Sequence, residues 1–362
     1  MAEATSPSVR VGVEPLRKLC LAGMSRAGMR EADARLLAEV HLTNDTWGIH
    51  THGVKLLYPL FRNVREGHLS VTAIPEVVSE GPAWALVNGH RALPAVTAHR
   101  AMSLALEKAR GAGIAYVGVR GSGNFGTAAY YANMAAEQDM IGLVCTNADP
   151  TVVPPGAVGP GLGTNPLACA APAGEEKPLL LDMAISVVAA GKVLAARARG
   201  EEIPDDWLIG PDGQPTADLG SFALSSWLAP LGGYKGFGLG MVVEVLAGVL
   251  TGAGITSDIT SWMAERLRPN DIGHAFLAIN LGAMMPVAEF KARMDRMIRQ
   301  IKATPRAPGV ERITLPGERE AEKREAALAQ GVPLPSDVVA NLLRWAEDYG
   351  LGAEARALCG EA

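Results

Sequence analysis

The 362-residue chain is short of aromatic residues, of cysteine and of positive charge, and each shortage removes a class of function. Aromatics make up 5% of it, too few for the stacking platforms that hold single-stranded nucleic acids. Lysine and arginine number 33 against 38 aspartates and glutamates, a formal net charge of −5. No basic stripe stands ready to displace counterions from a phosphate backbone, so nucleic acid is not an expected partner. The cysteines, Cys20, Cys145, Cys169 and Cys359, form no CxxC pair and have no histidine at zinc spacing; they read as reduced thiols of a cytoplasmic protein. Residues 1–10 lack the charged-then-apolar order of a secretion signal. A long hydrophobic run is missing as well. The stretch from Phe237 to Ile255 comes closest, but Glu244 and five glycines break it, and it predicts a buried helix rather than a membrane span.

What remains is a compact chain, 48% hydrophobic with a mean hydropathy of +0.14 and 41 glycines, which points to close backbone packing. Apolar residues recur at helical spacing over 13–27 (Leu16, Cys20, Met24) and 31–45 (Leu37, Val40), predicting two amphipathic helices. Trp47-Gly-Ile-His-Thr-His-Gly53 follows as a loop with two histidines on one strand-like face, then a helix that stops near Gly67. Histidines two apart can ligate a metal, but no third ligand lies at a supporting spacing, and none is expected. Strands and helices alternate through 71–145: strand-like alternation over 71–87, a helix over 97–112, a strand over 114–119, a helix over 128–138 and a strand over 141–145. From Leu179 the alternation loses regularity, so a mixed, largely antiparallel α+β sheet is preferred to a doubly wound one. A final helix over 336–347 should be capped by Ser336 and Asp337.

The chain is organised around residues 120–193, where small polar residues and turns close strongly apolar runs. Gly121-Ser-Gly123-Asn-Phe-Gly126 is a literal GxGxxG between a strand and a helix, the setting of a dinucleotide fingerprint. The next strand, 141–145, carries no acidic residue at its end for a ribose hydroxyl, which weakens that reading. Glycines that merely permit a tight turn explain the pattern as well.

Read together, Gly48-Ile-His-Thr-His-Gly-Val54, Phe125-Gly126, Gly163-Thr-Asn-Pro166, Leu181-Asp-Met-Ala184, Gly191-Lys-Val193 and Pro230-Leu-Gly-Gly-Tyr-Lys-Gly-Phe-Gly-Leu239 resemble the type 2 malate/L-lactate dehydrogenase family. That family includes ureidoglycolate and sulfolactate dehydrogenases and cyclic imino-acid reductases. The resemblance covers nearly the whole chain. It implies a cytoplasmic, homodimeric oxidoreductase using NADPH or NADH on a non-Rossmann domain over 71–304. The helical segment 1–70 would pack with 305–362. By similarity, cofactor contacts fall to Asp182, Met183, Ala184, Lys235, Thr164 and Asn165. An ammonium on a glycine-flanked loop, such as Lys235, suits a pyrophosphate.

The departures lie where the chemistry is. Members of the family generally place a histidine just before the Phe-Gly of the glycine loop; here stands Asn124, which can donate a hydrogen bond but cannot exchange a proton near neutral pH. They place an arginine four residues after the histidine of Ser-His-Gly; here stands Leu56, with Lys55 about 100° away around a helix. Ala148 stands where a serine is frequent. His52 is the best surviving proton-exchanging group, with Asp149 second. Three readings follow: a dehydrogenase or imine reductase with an unusual substrate, a cofactor-binding protein without turnover that serves as a structural or regulatory partner, and a Rossmann enzyme. The choice between NAD and NADP stays open, since Arg197 and Arg199 can meet a ribose phosphate or solvent alike.

Overall fold

A computed structural model describes residues 8–261 and 269–360, so the reading of residues 1–10 falls largely outside them. The chain opens with β1 (Ser8–Val11), α1 (Val13–Arg26), α2 (Glu31–Thr46) and α3 (Leu57–Arg65), then β2 (Glu76–Gly81), β3 (Trp84–Asn88) and α4 (Pro94–Ala112). Next come β4 (Ile114–Ser122), α5 (Ala128–Ala136), β5 (Met140–Thr146), β6 (Leu167–Ala171), β7 (Leu179–Met183) and α6 (Ala190–Arg199). Three two-residue strands, β8 (Leu208–Ile209), β9 (Pro215–Thr216) and β10 (Trp227–Leu228), precede α7 (Tyr234–Glu244) and β11 (Ile272–Asn280). The chain closes with α8 (Val287–Lys302), α9 (Glu318–Gln330), β12 (Val332–Pro335), α10 (Ser336–Asp348) and α11 (Gly352–Cys359).

The main sheet has seven strands in the order β2-β3-β4-β11-β5-β6-β7. Only β3 and β4 run parallel in it; the other neighbours are antiparallel, as the loss of regular alternation predicts. Alternation sets its buried face: Ala115, Val117 and Val119 of β4 point into a core shared with Ala98, Ala101, Ala105 and Ala109 of α4, alanines three or four apart that let the helix lie close to the sheet. A second core joins the two ends of the chain. Leu16 and Met24 of α1, Leu37 of α2 and Phe61 of α3 pack with Leu342 and Trp345 of α10, and β1 pairs with β12 from Ser8↔Pro335 to Val11↔Val332.

Three expectations need correction. The Trp47–Gly53 loop is not strand-like: it coils into two 3₁₀ turns, His50–His52 and Val54–Leu56. The cause is Asp45, whose buried carboxylate accepts from the Val54 N–H at 2.8 Å and pairs with His50 Nδ1 at 2.9 Å. Gly53 lies so close that a Cβ there would be 2.1 Å from Asp45 Oδ1. Secondly, Pro335 rather than Ser336 stands at the N-cap of α10, with no side-chain cap, and Asp337 instead binds Lys55 Nζ at 2.5 Å. Thirdly, the apolar stretch after Phe237 is not a buried helix. It forms α7 and a π-helical turn (Val245–Val249) buried on one side only, with Val242, Val245, Val249 and Leu250 about half exposed or more on the other. Apolar composition alone does not say which surface covers a face. Among the described residues no helix is long and apolar enough to cross a membrane.

Candidate active site

The predicted site residues lie along a chain of short contacts. The turn carrying His52 is held from α2: its backbone carbonyl accepts from Asn44 Nδ2 at 2.9 Å and pairs with His41 Nδ1 at 3.1 Å. Asn44, fully buried, also accepts at Oδ1 from the Thr127 hydroxyl at 2.6 Å, which ties the histidine turn to the end of the glycine loop. In that loop Asn124 Oδ1 accepts from Gly126 N–H at 3.0 Å, an Asx turn that turns Nδ2 away as the free donor. Phe125 anchors the loop to the core, 4.5 Å from the His274 ring, and its carbonyl accepts from Tyr131 Oη at 2.7 Å. Gly121 (φ +64°) and Gly126 (φ +91°) hold left-handed backbone, so the turn itself requires these two glycines.

Further contacts continue the chain. Thr51 lies against Gly191, at the start of α6. Just before α6, Ile185 N–H donates to the Thr164 carbonyl at 2.9 Å and the Ile185 carbonyl accepts from Leu231 N–H at 2.7 Å, while Ser186 pairs with Pro230. Met183 and Ala184, Thr164 and the loop before Lys235 are thereby neighbours. Asn165, completely buried with φ +33°, turns its amide inward to Gly240 O (3.1 Å) and Glu244 Oε2 (2.8 Å). Glu244, which sequence reasoning saw only as an interruption, also accepts from Asn147 Nδ2 (3.3 Å) and from the Thr256 N–H (2.9 Å).

Electrostatics separates the titratable groups. Burial pushes His41 down to about 4 despite its bond to the His52 carbonyl; burial and the neighbouring His41 bring His52 to about 4 as well. His274, bonded at Nδ1 to Thr146 Oγ1 (2.7 Å) and at Nε2 to Ser122 Oγ (2.9 Å), is lowered by burial to about 3. Asp182 is raised by burial to about 6, against the lowering effect of amide hydrogen bonds from α5.

Asp182 also decides the fate of the GxGxxG. A Rossmann pyrophosphate would lie on the first turn of the helix after that loop. Here the helix is α5, and Asp182 Oδ2 already accepts from its Ala129 N–H at 2.8 Å. A carboxylate in that place repels a phosphate, and β11 lies between β4 and β5, antiparallel to both, which breaks the parallel sheet of a Rossmann unit. Two other helix starts are open. Neither α6 nor α7 has a side-chain cap, and Lys192 and Lys235 stand exposed in their first turns with no ion-pair partner among the described residues.

The comparisons with known proteins agree with this geometry. The sequence profile described as malate/L-lactate dehydrogenase matches residues 11–343. The chain belongs to that family. Malate dehydrogenase of Pyrococcus abyssi is 37% identical over 350 residues, 95% of this chain and 96% of its own. The Δ1-pyrroline-2-carboxylate/Δ1-piperideine-2-carboxylate reductase of Pseudomonas putida is 34% identical, over 91% of this chain and 95% of its own. The solved structure of malate dehydrogenase from Pyrococcus horikoshii superimposes with a TM-score of 0.88 at 33% identity, covering 97% of this chain and 98% of that one. Membership in the malate/L-lactate dehydrogenase family makes the protein an NAD(P)-dependent oxidoreductase, a dehydrogenase or reductase acting on CH–OH or C=N groups. The donor set fits such a nucleotide: two uncapped helix starts, each with a lysine, are joined through Ile185 and Leu231. At the position where the resemblance places an anion-seating arginine stands Leu56. Leu56 is buried, and Lys55 is engaged by Asp337.

Proposed function

We propose that the protein reduces a small carbonyl compound or cyclic imine that lacks the carboxylate handle of an ordinary 2-oxo acid, using NADPH or NADH. The observation that carries this reading is the pairing of two exposed lysines, Lys192 and Lys235, in the first turns of α6 and α7 with a substrate side where leucine and asparagine stand in place of arginine and histidine. Bound there, the nucleotide supplies a hydride. Thr164, Met183, Ala184 and Lys235 line its path; Asp182 and Asn165 act from behind, since Asp182 fixes the start of α5 and Asn165 is bonded inward. Asn124 Nδ2 donates to the substrate's oxygen or nitrogen and stabilises charge as it develops. His52, neutral near pH 7, orients the substrate as a hydrogen-bonding partner. We take residues 71–304 as the cofactor-binding domain, 1–70 with 305–362 as the helical one, and a reducing cytoplasm as the compartment, in which the four free cysteines are at home.

Titration of reduced nucleotide fluorescence tests the lysines. Lys235→Met should weaken NADPH or NADH binding roughly 10- to 100-fold, the equivalent of ~1.5–3 kcal/mol for a hydrogen bond to a charged group. Gly123→Ala should leave binding within about twofold, because the nucleotide does not cross that loop. The reverse pattern would restore the Rossmann reading. Nucleotide binding with no reduction of any 2-oxo acid, neutral ketone or cyclic imine favours the partner without turnover.

We further propose a homodimer closed through the exposed face of α7, where Tyr234 is 72% exposed and Val249 58%. Light scattering should give about twice the 37.8 kDa chain mass, and Val245→Asp with Val249→Asp should halve it. An unchanged mass in the double variant moves the interface elsewhere.

A further inference from the structure

A small pocket opens between the end of α3, the start of α4 and the glycine loop, and Asn124 is one of its walls. Leu60, Leu69 and Pro94 make it apolar; Asn124, Asn270 and His68 make it selectively polar. Among the described residues its lining carries no Asp, Glu, Lys or Arg, and His68 is the imidazole in it.

His68 is held firmly. Its N–H and that of Leu69 both donate to the Asn63 carbonyl, at 2.9 and 3.2 Å, closing the end of α3. The Ser70 N–H donates to the Arg91 carbonyl (2.8 Å), and the Arg91 N–H donates to the Gly121 carbonyl (3.4 Å), so one short segment fastens the histidine turn to the glycine loop. Meanwhile His68 Nδ1 is buried with no hydrogen-bond partner, as is Asn270 Oδ1. Buried polar atoms in that condition call for an explanation, and a bound polar group is one. Of the other histidines near the site, His274 is bonded at both nitrogens, and burial holds His41 and His52 neutral, although His41 Nε2 also lacks a partner.

Resting on the proposed reductase reading, we infer that His68 is the catalytic acid and base of this enzyme, replacing the imidazole missing at 124 from within the pocket that both residues line. In the reducing direction the hydride and its electron pair come from the nucleotide to the carbonyl or imine carbon. The C=O or C=N π pair moves to the heteroatom, which takes one proton from the His68 imidazolium while Asn124 donates a hydrogen bond to it. Ketone, reduced nucleotide and one proton thus become secondary alcohol and oxidised nucleotide; solvent reprotonates His68.

Methyl pyruvate and Δ1-pyrroline are the probes, with pyruvate as the charged comparison. The full chain should reduce at least one neutral probe with kcat/KM about tenfold or more above pyruvate. His68→Gln should lower kcat on it about 10²- to 10³-fold, the usual size of a lost general acid. Its KM, nucleotide affinity and melting temperature should change little, and the basic limb of the kcat–pH profile should disappear. A merely structural His68 would move the melting temperature and leave that limb in place. His68→Gln with near-normal kcat overturns the assignment, as does failure of the nucleotide-bound wild type to reduce either neutral probe, or a preference for pyruvate. Absence of nucleotide binding overturns the reductase reading beneath it.

Discussion

Acidification from pH 7 to pH 5 is expected to remove about 4 kcal/mol of folding stability through two histidines alone, by the 1.36 kcal/mol per pH unit that each differential proton carries. His41 and His274 are essentially inaccessible, with folded values near 4 and 3 against an ordinary 6.5. Between 6.5 and those values the unfolded chain binds protons that the folded chain refuses, so stability falls as pH falls. His52 adds in the same direction with a smaller weight, because it is partly exposed. Asp182 works the other way: its folded value near 6 lies above its unfolded one, so below pH 6 the native state takes the extra proton and recovers about 1.4 kcal/mol by pH 5. Asp45, also raised by burial, acts in the same sense at lower pH. Urea unfolding at pH 7, 6 and 5 should therefore show a net loss of about 3 kcal/mol across the interval. His274→Gln should flatten the dependence by about one proton; an unchanged slope would sink this account.

Glu244→Ala is expected to cost about 3 kcal/mol, from roughly two buried donors left without acceptors, and to lower the melting temperature by roughly 6 °C. The carboxylate joins three pieces that are far apart in sequence: Asn147 after β5, Asn165 before β6 and Thr256 beyond α7. Thr256 sits in left-handed backbone (φ +45°), a strained state that its bond to Glu244 helps to hold. Because Lys235 begins the helix that Glu244 ends, the variant should also bind reduced nucleotide more weakly. Glu244→Gln keeps one acceptor oxygen and should lose about a third as much. Scanning calorimetry with a nucleotide titration checks both; equal melting temperatures for Glu244→Ala and wild type would show that the three segments hold themselves.

Helices were legible where spacing alone decides them. Leu16, Cys20 and Met24 in α1 and Leu37 and Val40 in α2 recur at a period that only a helix brings to one side, and both helices end within a residue of expectation. The motif set identified the family before any coordinates, because its loops are spelled by glycines and prolines that few backbones require. Partners remote in sequence were not legible. His274 meets Ser122 across 152 positions, and Asn147 meets Glu244 across 97, so neither side chain carries a local sign of its role. His68 did leave a trace, an imidazole directly after the Gly67 that stops α3, where a solvated turn residue is ordinary. Ser336 misled because a cap is chosen by backbone direction, and Pro335 had already set it.

The ladder between β1 and β12 has a bearing on synthesis. Helices α1–α3 leave the ribosome with Leu16, Met24 and Phe61 uncovered, and Leu342 and Trp345, which cover them, are made only after the whole seven-stranded sheet. Until then the nascent chain carries an unfinished greasy surface that invites chaperones. A truncation before α10 would leave Leu16, Met24 and Phe61 without their cover, so its first effect is expected on folding rather than on catalysis.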